Sequence, residues 1–175
     1  IALVFLTPFI GGLVADRYLG YRKSIILGGI MMGIGYFLIG IHDLTTLYVA
    51  MIFIIIGNGF FKPNISTLLG NFYSTPEYKD KKDEGYNIFY MGINVGAFIC
   101  NFFGAVLYIL LGWQYAFMAA GVGMFIGVIV FMLGTKYYEG YDQKKGVQEG
   151  DMPFWKIVVF ILLPSVIFGV IGWLI

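Results

Sequence analysis

The chain has 175 residues, of which 59% are hydrophobic and 12% charged, with 25 glycines and a formal net charge of +1. A soluble domain carries about twice that charged fraction, so the composition points to an all-α integral membrane protein, and the near-balanced charge gives no ground for a nucleic-acid partner. Cys100 is the single cysteine, which excludes an internal disulfide and a cysteine metal site.

Residues 1–15 form an apolar run that starts at Ile rather than Met and has no basic stretch before it. This reads as a membrane helix entered partway, in a fragment of a longer protein, and not as a signal peptide. Further apolar runs cover 24–41, 46–72, 86–111, 113–135 and 156–175, each close to or above the roughly 20 residues that a bilayer-spanning helix needs. The expectation is about six transmembrane helices, the first incomplete.

The polar connections are 16–23, 42–45, 74–85, Gly112 and 136–155. Arg17, Arg22 and Lys23 lie in the first, Lys79, Lys81 and Lys82 in the third, and Lys136, Lys144, Lys145 and Lys156 at the fifth, whereas the second and fourth have no Lys or Arg. Cytoplasmic loops collect basic residues, so this alternation makes the odd connections cytoplasmic and supports the helix count. Trp113, Tyr115 and Trp173 fall where the outer interface belongs, and Tyr137, Tyr138 and Trp155 near the inner one. Residues 136–155 read as a solvated cytoplasmic linker separating a helical unit, 1–135, from a further helix, 156–175. Pro153 suits the first turn of that helix, and Pro164 should kink it.

The glycines invite a phosphate-loop reading, but Gly28, Gly29, Gly33 and Gly35 lie inside an apolar helix with no preceding strand and no Gly-Lys-Ser/Thr follows. Gly29/Gly33, Gly92/Gly96 and Gly123/Gly127 read instead as small-xxx-small pairs that let helices approach. Asn64-Ile-Ser66 matches a glycosylation sequon but sits at membrane depth. His42 stands beside Asp43 in a short outer loop with no second ligand at metal spacing, so it reads as part of a helix-terminal turn. No nucleophile and base pair is evident, and enzymatic chemistry finds little support.

The stretch Gly57-Asn-Gly-Phe-Phe-Lys62-Pro63-Asn64-Ile-Ser66 is different, because it puts a lysine inside an apolar run. A cation at bilayer depth is costly unless it lines a wet cavity or has a partner, which makes Lys62 a functional residue by default. Gly57, Gly59 and Pro63 around it weaken a helix. Lys62 lies ten residues from the end of its run at Phe72, about 15 Å, and Asn94 lies eight residues into the next run, about 12 Å. The two groups are therefore expected at similar depth, where they could share one cavity. Asn58, Lys62 and Ser66 form one stripe at i, i+4, i+8, and Asn87, Asn94 and Asn101 recur every seven residues with Tyr90 beside them, Gly92 and Gly96 lying roughly opposite. Interhelical hydrogen bonding in a closed bundle is the plainer role for the asparagines, and a buried ion pair with an acid elsewhere is the plainer role for Lys62. The functional role for Lys62 is to hold a substrate carboxylate and to exchange a salt bridge as protons bind and leave.

Gly12-Leu-Val-Ala-Asp16-Arg17-Tyr-Leu-Gly20-Tyr-Arg22-Lys23 resembles the loop signature between the second and third helices of the major facilitator superfamily. Together with Phe61-Lys62-Pro63-Asn64-Ile-Ser66 and Phe89-Tyr90-Met-Gly-Ile93-Asn94-Val-Gly96, it resembles the proton-dependent oligopeptide transporter family, in the right order over nearly the whole chain. The resemblance implies part of the second helix through the sixth of a twelve-helix bundle in the plasma (inner) membrane, its C-terminal half missing here. The last helix would then be the seventh or one of an inserted pair. It implies inward symport of di- and tripeptides with protons by alternating access, with no cofactor besides the coupling proton. By the same resemblance Lys62 would serve carboxylate recognition and proton coupling, Asn94 and Tyr90 would contact the peptide, and Gly12, Asp16, Arg17, Gly20, Arg22 and Lys23 would belong to the cytoplasmic gate and its loop motif. Phe5 stands where the family usually has a binding-site tyrosine, a lost hydroxyl that would alter peptide preference. Some relatives carry nitrate or other small anions, and the first-helix acidic motif that would separate them lies outside this sequence.

Overall fold

The computed structural model describes residues 2–41 and 43–142 together with Pro153 and Lys156, with side chains from Thr7 onward. Helix α1 (Ala2–Val14) passes through Pro8 and runs into a π-helical turn, Ala15–Leu19, in which the Gly20 N–H donates to the Ala15 carbonyl at 2.8 Å. Gly20 has φ 84°, a backbone that residues with a Cβ rarely adopt, and α2 (Tyr21–Ile39) starts directly after it. Arg22 and Lys23 are thus in the first turn of α2 rather than in the connection. The connection is a single tight turn.

Helix α3 (Leu44–Phe72) is continuous across Pro63. Asp43 caps it, its carboxylate accepting from the Thr46 N–H at 2.8 Å and the Thr46 hydroxyl at 3.0 Å. This agrees with the helix-terminal turn expected beside His42, itself outside the described residues. A 3₁₀ turn (Lys79–Lys81) leads into α4 (Lys82–Leu111), and Gly112 at φ 104° joins it to α5 (Trp113–Leu133). The short α6 (Thr135–Tyr138) and a 3₁₀ turn (Glu139–Tyr141) follow.

Helices α2, α3, α4 with its leading turn, and α5 are long and apolar enough to cross a membrane. Helix α1 has 13 residues, while the expected helix over 156–175, with Pro164 and Trp173, lies outside the described residues, as do Trp155 and most of the 136–155 linker. Among the described residues the fold is an all-α bundle.

Helix α3 is its centre, packed along α2 and against α1; α2 also packs on α5, and α4 rests on α5. Glycine sets the crossings. A Cβ on Gly28 would fall 2.6 Å from the Gly57 carbonyl oxygen, and one on Gly59 would fall 2.7 Å from the backbone of Thr7. The Gly57–Gly59 stretch, expected to weaken its helix, is therefore where three helices come into backbone contact.

Gly29 and Gly33 face Val128 and Phe125 of α5 and pack as their spacing predicts. Gly92, Gly96, Gly123 and Gly127 do not: no atom comes within 4 Å of a Cβ built on any of them. Gly96 and Gly123 border a cavity of about 600 Å³ between α4 and α5, lined also by Cys100, Gly104, Ala116 and Ala119. Spacing alone says that an approach is permitted, and nothing about whether a partner is there.

A buried cluster sits at the basic end, where Ala15, Tyr21, Ile25 and Leu68 pack beneath Phe61, Ile65, Phe131, Tyr138 and Tyr141. Two of these come from the segment expected to be a solvated linker. Tyr138, expected in an interfacial belt, folds back instead so that its ring stacks on Phe131 at 4.8 Å and its hydroxyl donates to the Phe131 carbonyl. Tyr137, Trp113 and Tyr115 remain exposed, as belt residues should. The outer surfaces of α4 and α5 are apolar and open, with Phe98, Ile109 and Leu133 each more than 70% exposed, so their surroundings must be lipid or further helices.

Candidate functional site

Lys62 lies on an exposed position of α3, eighteen residues past the start of the helix at Leu44. Among the described residues its ammonium has neither a hydrogen-bond nor an ion-pair partner. Asn58 and Ser66, one turn to either side, are half-buried, and the Ser66 hydroxyl donates to the Lys62 carbonyl at 3.4 Å. The polar stripe along α3 is thus present, with the lysine as its one charge.

The next residue, Pro63, helps line a groove of about 450 Å³ with Pro8, Phe9, Gly12, Leu13 and Asp16. Gly12 and Asp16 come from the loop signature. Two sequence motifs separated by some fifty residues therefore meet at one groove between α1 and α3. Asn64, one position further on, is fully buried; its amide donates to the Phe60 carbonyl at 2.7 Å and across to the Gly11 carbonyl of α1 at 3.4 Å. It is a structural tie that sequence reading passed over as a sequon; its burial follows from facing the glycine crossing.

Asn94 and Tyr90 lie on α4, and both are exposed. The Asn94 amide donates to the Tyr90 carbonyl at 2.9 Å within its own helix, and the Tyr90 ring sits 6.5 Å from Tyr86 and 5.8 Å from Phe89. Helix α4 meets the polar stripe of α3 at its basic end, where the Tyr86 hydroxyl donates to the Ser66 carbonyl at 3.4 Å. No hydrogen bond joins Lys62 to Asn94 or Tyr90, because α4 leans on α5 rather than closing along α3. Asn87 and Asn101 are likewise exposed. Phe5 is helical within α1, and its side chain lies outside the described residues.

The loop signature divides its work. Gly20 supplies the positive φ, Asp16 and Arg17 are half-buried, and Lys23 is exposed. The phenol of Tyr21 is buried, near Asp16 on one side and Asn71 of α3 on the other. Arg22 turns toward the chain after α5: its guanidinium donates to Glu139 Oε1 at 3.2 Å and its backbone N–H to Asp142 Oδ1 at 3.2 Å. Asn71, Glu139 and Asp142 carry no motif, so only the folded chain brings them to the signature.

A family model described as the POT family matches residues 22–163. The chain is 32% identical over 164 residues to a di-/tripeptide transporter of Lactobacillus helveticus, covering 86% of this chain and 33% of that protein. It is 37% identical over 134 residues to a di-/tripeptide transporter of Lactococcus lactis subsp. lactis (strain IL1403), covering 76% and 27%. Among solved structures it superimposes on a crystal structure of the peptide transporter POT in complex with sulfate, with TM-score 0.78 and 31% identity, covering 97% of this chain and 35% of that one. The chain spans about a third of the length of these relatives.

Proposed function

The chain belongs to the POT family, a family of membrane transporters and not of enzymes, and from that premise we propose that it is the helix 2 to helix 6 part of a symporter that carries di- and tripeptides inward with protons. The two relatives described above are named for di- and tripeptides, which supports the substrate class. The observation that carries the reading is Lys62, a lysine inside a membrane-length helix with no partner among the described residues. Such a charge is stable at bilayer depth only beside water or an anion, and a peptide carboxylate is an anion that comes and goes.

In this reading Lys62 holds the peptide carboxylate and, when the carboxylate leaves, exchanges to a protonatable acid of the longer chain. Binding and proton movement are then linked at one ammonium. Tyr90 and Asn94 contact the peptide from α4, Phe5 borders it from α1, and alternating access brings the α4 residues toward α3. Gly12, Asp16, Arg17, Gly20, Arg22 and Lys23 form the gate on the basic side, which faces the cytoplasm, with the whole in the plasma (inner) membrane and no cofactor beyond the proton.

The test is uptake by the full-length protein in proteoliposomes, with labelled dipeptide, tripeptide and nitrate offered separately. Uptake of the peptides and not of nitrate is expected. Uptake of nitrate alone would move the protein to the anion-carrying members of the fold.

A further inference from the structure

Helix α2 begins without a side-chain cap of its own, because its N-cap position is Gly20. Its first-turn N–H groups need acceptors, and an anion is favoured at that end of the helix dipole. The acceptor comes from 120 positions away in the sequence, where Asp142 Oδ1 receives the Arg22 N–H at 3.2 Å. Three residues before it, Glu139 receives the Arg22 guanidinium at 3.2 Å.

The rest of the segment is fastened too. Gly134 ends α5, the chain turns, and Tyr138 returns to stack on Phe131 of α5 at 4.8 Å with an interplanar angle of 23°. Tyr141 meets Phe72 of α3 edge-on at 4.9 Å. Eight residues thus touch the basic ends of α2, α3 and α5, and two of their tyrosines pack on the core cluster of Ala15, Tyr21, Ile25 and Leu68. Helix α4 is outside the clasp: Phe89 faces Tyr137 and Tyr138 only across an apolar cavity of about 340 Å³.

We propose that residues 135–142 are a latch that binds the basic ends of α2, α3 and α5 into one rigid body, with Arg22 as its fastening residue and α4 left free of it. Its polar contacts are partly open to water, the Arg22 side chain at 25% and the Glu139 side chain at 69% exposure, so the latch can open without unfolding the bundle. Displacement of the chain beyond Asp142 acts directly on the cap of α2 and on Phe72 of α3.

The experiment uses the full-length protein, purified and reconstituted, and measures cleavage after Lys136, which is exposed within the latch, by an endoprotease that cuts after lysine and not after arginine. Glu139→Gln combined with Asp142→Asn keeps side-chain size and removes both anions; cleavage about five- to tenfold faster than in the unmodified protein is expected, since cutting follows the population of the locally open form. Arg22→Glu is expected to do the same, and the charge exchange of Arg22→Glu with Glu139→Arg to recover a large part of the protection. Tyr141→Leu, which removes the contact with Phe72, should also speed cleavage. Unchanged cleavage in the Glu139→Gln, Asp142→Asn protein overturns the proposal, as does a charge exchange no better protected than Arg22→Glu alone. The double amide variant decides the matter even if the charge-reversed proteins fail to fold. Because proteolysis is read without transport, the result does not depend on what the protein carries.

Discussion

Gly28 of α2 and Gly57 of α3 cross so closely that a Cβ on Gly57 would stand 2.7 Å from the Gly28 carbonyl oxygen, and one on Gly28 2.6 Å from that of Gly57. The obstacle in each case is backbone, which cannot swing aside as a side chain can. Gly57→Val or Gly28→Val should therefore cost about 1–3 kcal/mol or more through forced separation of the helices. Gly92→Ala and Gly96→Ala meet open space, so the better helix former should leave stability unchanged or raise it by up to about 1 kcal/mol. Thermal unfolding of the four variants in one detergent checks the contrast.

Asn64 is the polar counterpart of that crossing. Its amide is the side-chain link between α3 and the Gly11 carbonyl of α1, in a site closed to solvent. Asn64→Leu leaves the Gly11 carbonyl without that donor and adds a branched side chain beside a glycine contact, so a loss of about 1–3 kcal/mol is expected. Asn64→Asp should be worse at neutral pH, since it places a carboxylate against two carbonyl oxygens. Melting temperatures of the two variants, measured together, rank them.

Asp43 carries the pH dependence at the other end of α3. The Thr46 backbone N–H, then the Thr46 hydroxyl, hold its carboxyl below the usual carboxylate range. A depressed folded value means that the cap stabilises above the unfolded carboxylate value of about 3.9 and is lost as pH falls through the lower folded value. Asp43→Ala should thus be less stable than the unmodified protein at neutral pH, with the two melting curves converging below pH about 3.9. A gap that stays constant into acid would mean that the cap does not titrate.

Much of this architecture was legible in the sequence, for physical reasons that also mark where legibility stops. The apolar runs gave α2 to α5 to within a few residues because bilayer length and basic clusters constrain both ends of each helix. The loop signature and the lysine stretch were found as motifs, and Gly12, Asp16 and Pro63 do share a groove. Consecutive helices were expected to share a cavity, yet α4 packs on α5, since order along the chain does not fix neighbours in a bundle. Gly92 and Gly96 have the spacing of a packing face and face open space, because spacing describes one helix and packing needs two. Glu139 and Asp142 looked like linker charges, and their attachment to Arg22 depends on a backward turn at Gly134 that no local pattern announces.

The most direct test of the proposed activity compares the unmodified full-length protein with its Lys62→Ala variant in proteoliposomes, following labelled dipeptide with and without an inward proton gradient. The account predicts gradient-driven accumulation in the unmodified protein and a loss of about tenfold or more in the variant, with its residual uptake no longer responding to the gradient. Gradient-driven accumulation that survives Lys62→Ala unchanged, or no peptide uptake in the unmodified protein, would contradict it.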